Sequence, residues 1–222
     1  MSEGDWPSGI DAPTLLRWLR ASPAASERKL RLFACACWRR IRREGLWARL
    51  HRVVETAERY ADGLAGTKEL LDAKSVAWGI AHPVLRLVTP MGVSRPHISD
   101  VFLAAYAAEE TPAVLAQHVE EAAAWEGLRE VAPAVLRDLF GPRPFRPPPG
   151  APSPDGTVER LARAAYEERL LPSGQLDRTR LAVLADALEE AGCTDADLLG
   201  HLRGEGAHVR GCWALDLLLA KE

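Results

Sequence analysis

Cys193, His201, His208 and Cys212 fall within one twenty-residue span near the C-terminal end of the sequence. Thiolates and imidazoles are the ligands that tetrahedral zinc prefers, and two of each would fill its four positions. His208 and Cys212 stand one turn apart if their segment is helical. Cys193 precedes a capping threonine, Thr194, and His201 sits near the end of a short helix. A reversal at Gly204–Gly206 would bring the two halves of the span together. The spacing follows no common zinc-finger formula. A plainer reading puts both thiols in the core and lets the imidazoles bond carbonyls or acidic neighbours. The four residues are therefore a candidate zinc site, and none is assigned a catalytic role.

Other chemistry is thinner. Asp197 and His201 lie one turn apart beside Asp195, a spacing that suits a surface pair or a helix cap as well as a general base. The sequence holds no GxGxxG turn, Walker loop, HExxH or GxSxG. Whether the protein is an enzyme stays open at this level.

A second cluster is basic. Leu30, Phe33, Cys37, Trp38 and Ile41 fall on one side of a helical wheel, and Arg28, Arg31, Arg39, Arg42 and Arg43 on the other. Arginine forks grip phosphate, so this face is a candidate nucleic-acid surface. A core helix with a solvated basic face is the preferred reading, because no helix-turn-helix spacing or stacking platform supports the other. Cys35 is expected on the basic side, without a partner that would make it a nucleophile.

The elements that must position these residues are helical. Asp11-Ala12-Pro13 opens a first helix to about Arg20, and Ser26 caps a second to about Arg43. Helices follow from Leu46 to Asp62, stopped by Gly63, and from Thr67 toward Ala81, with Pro83 and 89–96 read as irregular. Later ones start at Ser99 or Asp100, at Thr111-Pro112, and at Ala132, the last ending before Gly141. Seven prolines between Gly141 and Gly156 predict extended backbone. Beyond them come helices from Thr157, from the cap Asp177 to Glu190, from a Thr194/Asp197 capping arrangement, and through Cys212–Leu219.

The chain has 222 residues, 47% hydrophobic and 27% charged, with a net charge of −3. That argues for a globular protein and against strong overall attraction to nucleic acid or anionic membrane. Charge is uneven: +5 over residues 1–60, −5 over 61–140 and −3 over 141–222. No apolar run approaches a membrane span, the acidic start has no signal-peptide pattern, and four sparse cysteines do not suggest a disulfide scaffold. A cytoplasmic protein with reduced thiols is expected.

Several blocks resemble a group of uncharacterised planctomycete proteins: Lys29 to Cys37 (KLRLFACAC), Ala57 to Gly63, Leu184 to Asp197 (LADALEEAGCTDAD), and His208 to Trp213 (HVRGCW) through Glu222. The resemblance implies no substrate, since the group carries no established activity. It also implies cysteines where this chain has Trp38 and Leu202, which argues against a site obligatory to the whole group.

The expected architecture is an all-α, irregular multi-helix domain. It comprises an N-terminal helical region (1–140), a proline-rich linker or strap (141–156) and a C-terminal helical region (157–222) packing on the first. The expected function is macromolecular interaction, with a protein partner. The alternatives are a metal-binding protein or metal-dependent enzyme using the Cys/His cluster, and a nucleic-acid-binding protein using helix 28–43.

Overall fold

The computed structural model describes residues 11–20, 26–41, 47–88, 99–124, 128–141 and 156–221. Arg42, Arg43 and residues 142–155 lie outside them. The architecture is all-α. Among the described residues, β structure is limited to two isolated bridges, Leu170 to Gln175 and Gln175 to Val209. The chain divides into two compact units, an N-terminal one spanning Ile10–Pro133 and a C-terminal one containing Ala134–Glu222.

The N-terminal unit holds α1 (Ala12–Arg20), α2 (Glu27–Ile41), α3 (Trp47–Ala61), α4 (Thr67–Val88), α5 (Ser99–Ala107) and α6 (Pro112–Ala123). Local chemistry starts and stops them. The Asp11 carboxylate accepts the Thr14 N–H at 2.9 Å, and Ser26 Oγ accepts that of Lys29 at 3.2 Å. Gly63, at φ +71°, ends α3 with the reversal only glycine makes cheaply, and the Leu64 N–H returns to the Arg59 carbonyl. Glu69 reaches back to the Gly66 N–H and closes the start of α4. α4 then continues through Pro83 to Val88, past the break expected there. Proline removes one N–H bond to the preceding turn, and a 22-residue helix tolerates that loss. α6 runs from Pro112, the expected first helical position after Thr111, and stops at Ala123.

α2 is central, packing on α3, α5 and α6. Every residue from Leu30 to Arg39 is buried, so the helix has no solvated face along that stretch. This places Arg31 and Arg39 inside rather than on the expected basic surface. Arg31 is fully buried, donates to the last carbonyl of α5 (Ala107, 2.7 Å) and lies over the Tyr60 ring. Arg39 forks onto both oxygens of buried Glu58 at 2.8 and 2.9 Å. Arg28 pairs with Asp62 at 3.0 Å. Cys35 is buried as well, its thiol pointing at the Val54 carbonyl. Three of the five arginines are thus joints between helices.

The C-terminal unit takes α7 (Val131–Phe140) from Ala134 onward, then α8 (Gly156–Glu167), α9 (Arg178–Glu190), α10 (Ala196–Arg203) and α11 (Trp213–Leu218). α8 packs on α9 and α11, and α10 packs on α9 and α11. Tyr166, Leu181, Leu184, Leu198 and Leu215 lie in their shared core. The Asp177 carboxylate caps α9 through the Thr179 N–H. Asp195 caps α10, accepting from Asp197 and Leu198, in place of the expected Thr194 arrangement. The Tyr166 ring meets two cations, the guanidinium of Arg210 and the ammonium of Lys221.

The Arg39–Glu58 pair yields a prediction. Arg39→Ala leaves a buried carboxylate without its cation and is expected to cost about 3–5 kcal/mol. Chemical denaturation of the variant measures it. Arg39→Met paired with Glu58→Leu, which removes both charges, should recover most of that loss.

Candidate metal centre

Asp138 sits near the end of α7, and every neighbour from Val135 to Phe140 except Arg137 is buried with it. Its carboxylate is 2% exposed. One oxygen, Oδ2, accepts the Val209 backbone N–H at 2.7 Å. That bond ties the segment returning from α10 to α7. The segment is shaped locally. Gly204 ends α10 in extended conformation. The Leu176 N–H donates to the His208 carbonyl. Val209 to Cys212 close a tight turn, with Cys212 N–H bonded to the Val209 carbonyl and Gly211 at φ +87° in the position that needs glycine. Cys212 then stands as the N-cap residue of α11.

The outcome is a convergence of four ligand atoms. Those of Asp138, His201, His208 and Cys212 all lie within 4.8 Å of one another. His201 Nε2 is 3.1 Å from Cys212 Sγ and 3.1 Å from Asp138 Oδ1. His208 Nδ1 is 3.3 Å from the same oxygen. Ligands about 2.0–2.3 Å from a tetrahedral zinc stand roughly 3.3–3.8 Å apart, so seating an ion would take small adjustments, the closest pairs opening by a few tenths of an ångström and the widest closing.

Hydrogen bonding within the group is incomplete. Asp138 Oδ1 and His208 Nδ1 are buried, yet neither makes a well-aligned hydrogen bond. Each lies close to a neighbour but off the line a proton would follow. Buried polar atoms left in this way cost free energy and call for a partner. The outer side of His208 is satisfied: Nε2 lies 3.1 Å from the Gly204 carbonyl. A carbonyl only accepts, so Nε2 carries the proton in the neutral ring and the Nδ1 lone pair faces the cluster. Val209 N–H on Oδ2 orients the carboxylate likewise. Supports of this kind are typical behind metal ligands.

The electrostatics agree. Burial alone would raise the Asp138 pKa, but His201 and His208 outweigh it and hold the carboxyl below its ordinary value. Burial would lower His208, but Asp138 and the Gly204 carbonyl raise it. Burial, reinforced by Asp138, pushes the Cys212 thiol well up, so without a cation it stays protonated. A divalent ion would reverse that. One carboxylate and one thiolate carry two negative charges, which such an ion would neutralise in a largely buried site.

Three of the four residues expected from the sequence meet here: His201, His208 and Cys212. Cys193 does not. It is buried among the apolar side chains of the C-terminal unit, its N–H bonded to the Leu188 carbonyl. Asp138 holds the fourth place, supplied from before the proline-rich stretch. A signal for it exists in the sequence, an acidic residue directly before Leu139 and Phe140, one turn on from Val135, on a mostly apolar helix. Of the basic-surface candidates, Arg28, Arg31 and Arg39 are bonded within the N-terminal unit and Arg42 and Arg43 lie outside the described residues. No described helix is long and apolar enough to cross a membrane. No family model, curated protein or solved structure matches the chain.

The shifts give metal-free and metal-loaded protein opposite pH responses. Without metal, the raised His208 stabilises below its ordinary range and loses that contribution as pH rises through its folded value. The lowered Asp138 stabilises above the carboxylate range and loses it in acid. Chelated protein should therefore be more stable at about pH 5.5 than at about pH 8.5. Protons compete with metal for the same atoms, so loaded protein should show the reverse order. Thermal melts at both pH values, with and without chelator, check the sign.

Proposed function

We propose that the C-terminal unit is a metal-binding module whose ion is zinc or a divalent cation of similar preference. The observation carrying this reading is the convergence of Asp138 Oδ1 and His208 Nδ1, both buried and poorly bonded, with His201 Nε2 and the Cys212 thiol. One sulfur, two imidazole nitrogens and one carboxylate oxygen form a mixed donor set. It suits zinc or cobalt(II) better than magnesium or calcium, which take oxygen. Four protein ligands complete a tetrahedron, so the reading is a structural ion that holds α7, α10 and the start of α11 together rather than one that activates water.

Protein interaction remains a second reading, favoured by Leu170 and Leu171. They are 50% and 66% exposed at the turn that bridges to Val209, beside the ligand-bearing segment. The ion would then brace the segment behind that turn.

Elemental analysis of protein purified without chelator is expected to find one metal per chain. Asp138→Asn and Cys212→Ser should each lower occupancy at least about tenfold, the loss typical of a disturbed ligand shell. Cys193→Ser should leave it unchanged. Cobalt loading adds a specific check, because a thiolate-to-cobalt absorption band should appear in the wild type and vanish in Cys212→Ser. A metal-free protein whose melting is indifferent to added zinc and cobalt would remove the proposal.

A further inference from the structure

The four ligands are not equally enclosed. The side chains of Asp138 and His208 are 2% exposed and Cys212 is fully buried, while the His201 side chain is 21% exposed. Water therefore reaches the cluster along His201. The indole of Trp213 stands on that ring, with centroids 5.1 Å apart and planes at 49°. On another side the indole rests against Gly141, three residues after Asp138. A Cβ added there would stand 3.0 Å from Trp213 Cγ and 3.1 Å from Cδ2, and the φ of +76° also favours glycine. Trp213 itself follows Cys212 directly. One ring thus touches His201, is joined in sequence to Cys212, and leans on the backbone that follows Asp138.

The manner of its holding matters. The indole N–H is buried and makes no hydrogen bond. Packing alone fixes the ring, so swinging it aside breaks no hydrogen bond. We infer that Trp213 is the gate of the metal centre, the side chain that must move for the ion to enter or leave beside His201. This rests on the metal-binding reading above and specifies how that site is regulated.

A gate has a kinetic signature that a ligand-positioning residue lacks. It raises the barrier between bound and free states without changing either end, so its removal speeds association and release by the same factor. A residue that merely orients His201 would change the equilibrium instead. The test uses the full chain. Zinc release into an excess of chromogenic chelator and zinc uptake by the metal-free protein are followed by stopped flow, and Kd is measured separately at equilibrium. Trp213→Ala is expected to speed both steps about tenfold, equivalent to about 1.4 kcal/mol off each barrier, with Kd unchanged. Trp213→Phe, which keeps an aromatic cover, should lie near the wild type. Should the alanine variant fail to fold, Trp213→Leu retains apolar bulk while opening the same edge, and the same rise in both rates is expected of it.

Unchanged rates in the alanine or leucine variant would overturn the gate while leaving the metal centre standing. Faster release matched by weaker Kd, with uptake unaltered, would also overturn it and make Trp213 a positioning residue. A wild-type protein that takes up no zinc would defeat the metal-binding reading, and the gate with it.

Discussion

The C-terminal unit is organised around one buried carboxylate. Asp138 would be expensive on a helix whose neighbouring side chains are mostly apolar and buried, and its cost is offset from two directions. One oxygen takes the Val209 N–H, which pins the strand-like return of the chain to α7. The other faces two imidazoles. The rest follows from these contacts. His208 is brought in beside Val209 with its outer nitrogen on Gly204, the turn through Gly211 carries Cys212 inward, and α11 begins there. Replacing the carboxylate with an apolar side chain would leave the Val209 N–H without its acceptor and the imidazoles without their anion.

The N-terminal unit meets a similar problem differently. Arg39 and Glu58 are both buried, but the guanidinium fork satisfies both carboxylate oxygens at once, and His51 stands on the far side of the fork. Little is left for a third species to bind. Asp138 has one oxygen satisfied and one without an aligned donor. That difference separates a structural joint from a candidate site more clearly than burial or charge does. It also explains why the arginine-rich helix is a scaffold while the less conspicuous carboxylate draws attention.

Much of the helical order was legible because caps and stops act locally. Asp11, Ser26, Gly63 and Asp177 need only their near neighbours to do their work. Where an expectation failed, the cause was not local. Pro83 marks a break in isolation, yet the long helix carries on through it. The wheel placed Arg31 and Arg39 outside because a wheel assumes one buried side, whereas α2 is enclosed by α3, α5 and α6 and buries its cations against Glu58 and the end of α5. The three converging side chains near the C-terminus were legible as a group because they are close in sequence. Asp138 was not, since its place in the group depends on tertiary packing. Cys193 was expected in the group on proximity alone and stands in the apolar core instead.

That distance along the chain has a mechanical consequence. Asp138 precedes the proline-rich stretch, and His201, His208 and Cys212 follow it. An ion joining them would close a long loop, as a disulfide does, and would stabilise the fold largely by denying the unfolded chain its freedom. It would also be a reversible seam. A chain cut anywhere between 142 and 155 would still have its two pieces clasped at the metal, and a chelator would unfasten that clasp without breaking another covalent bond.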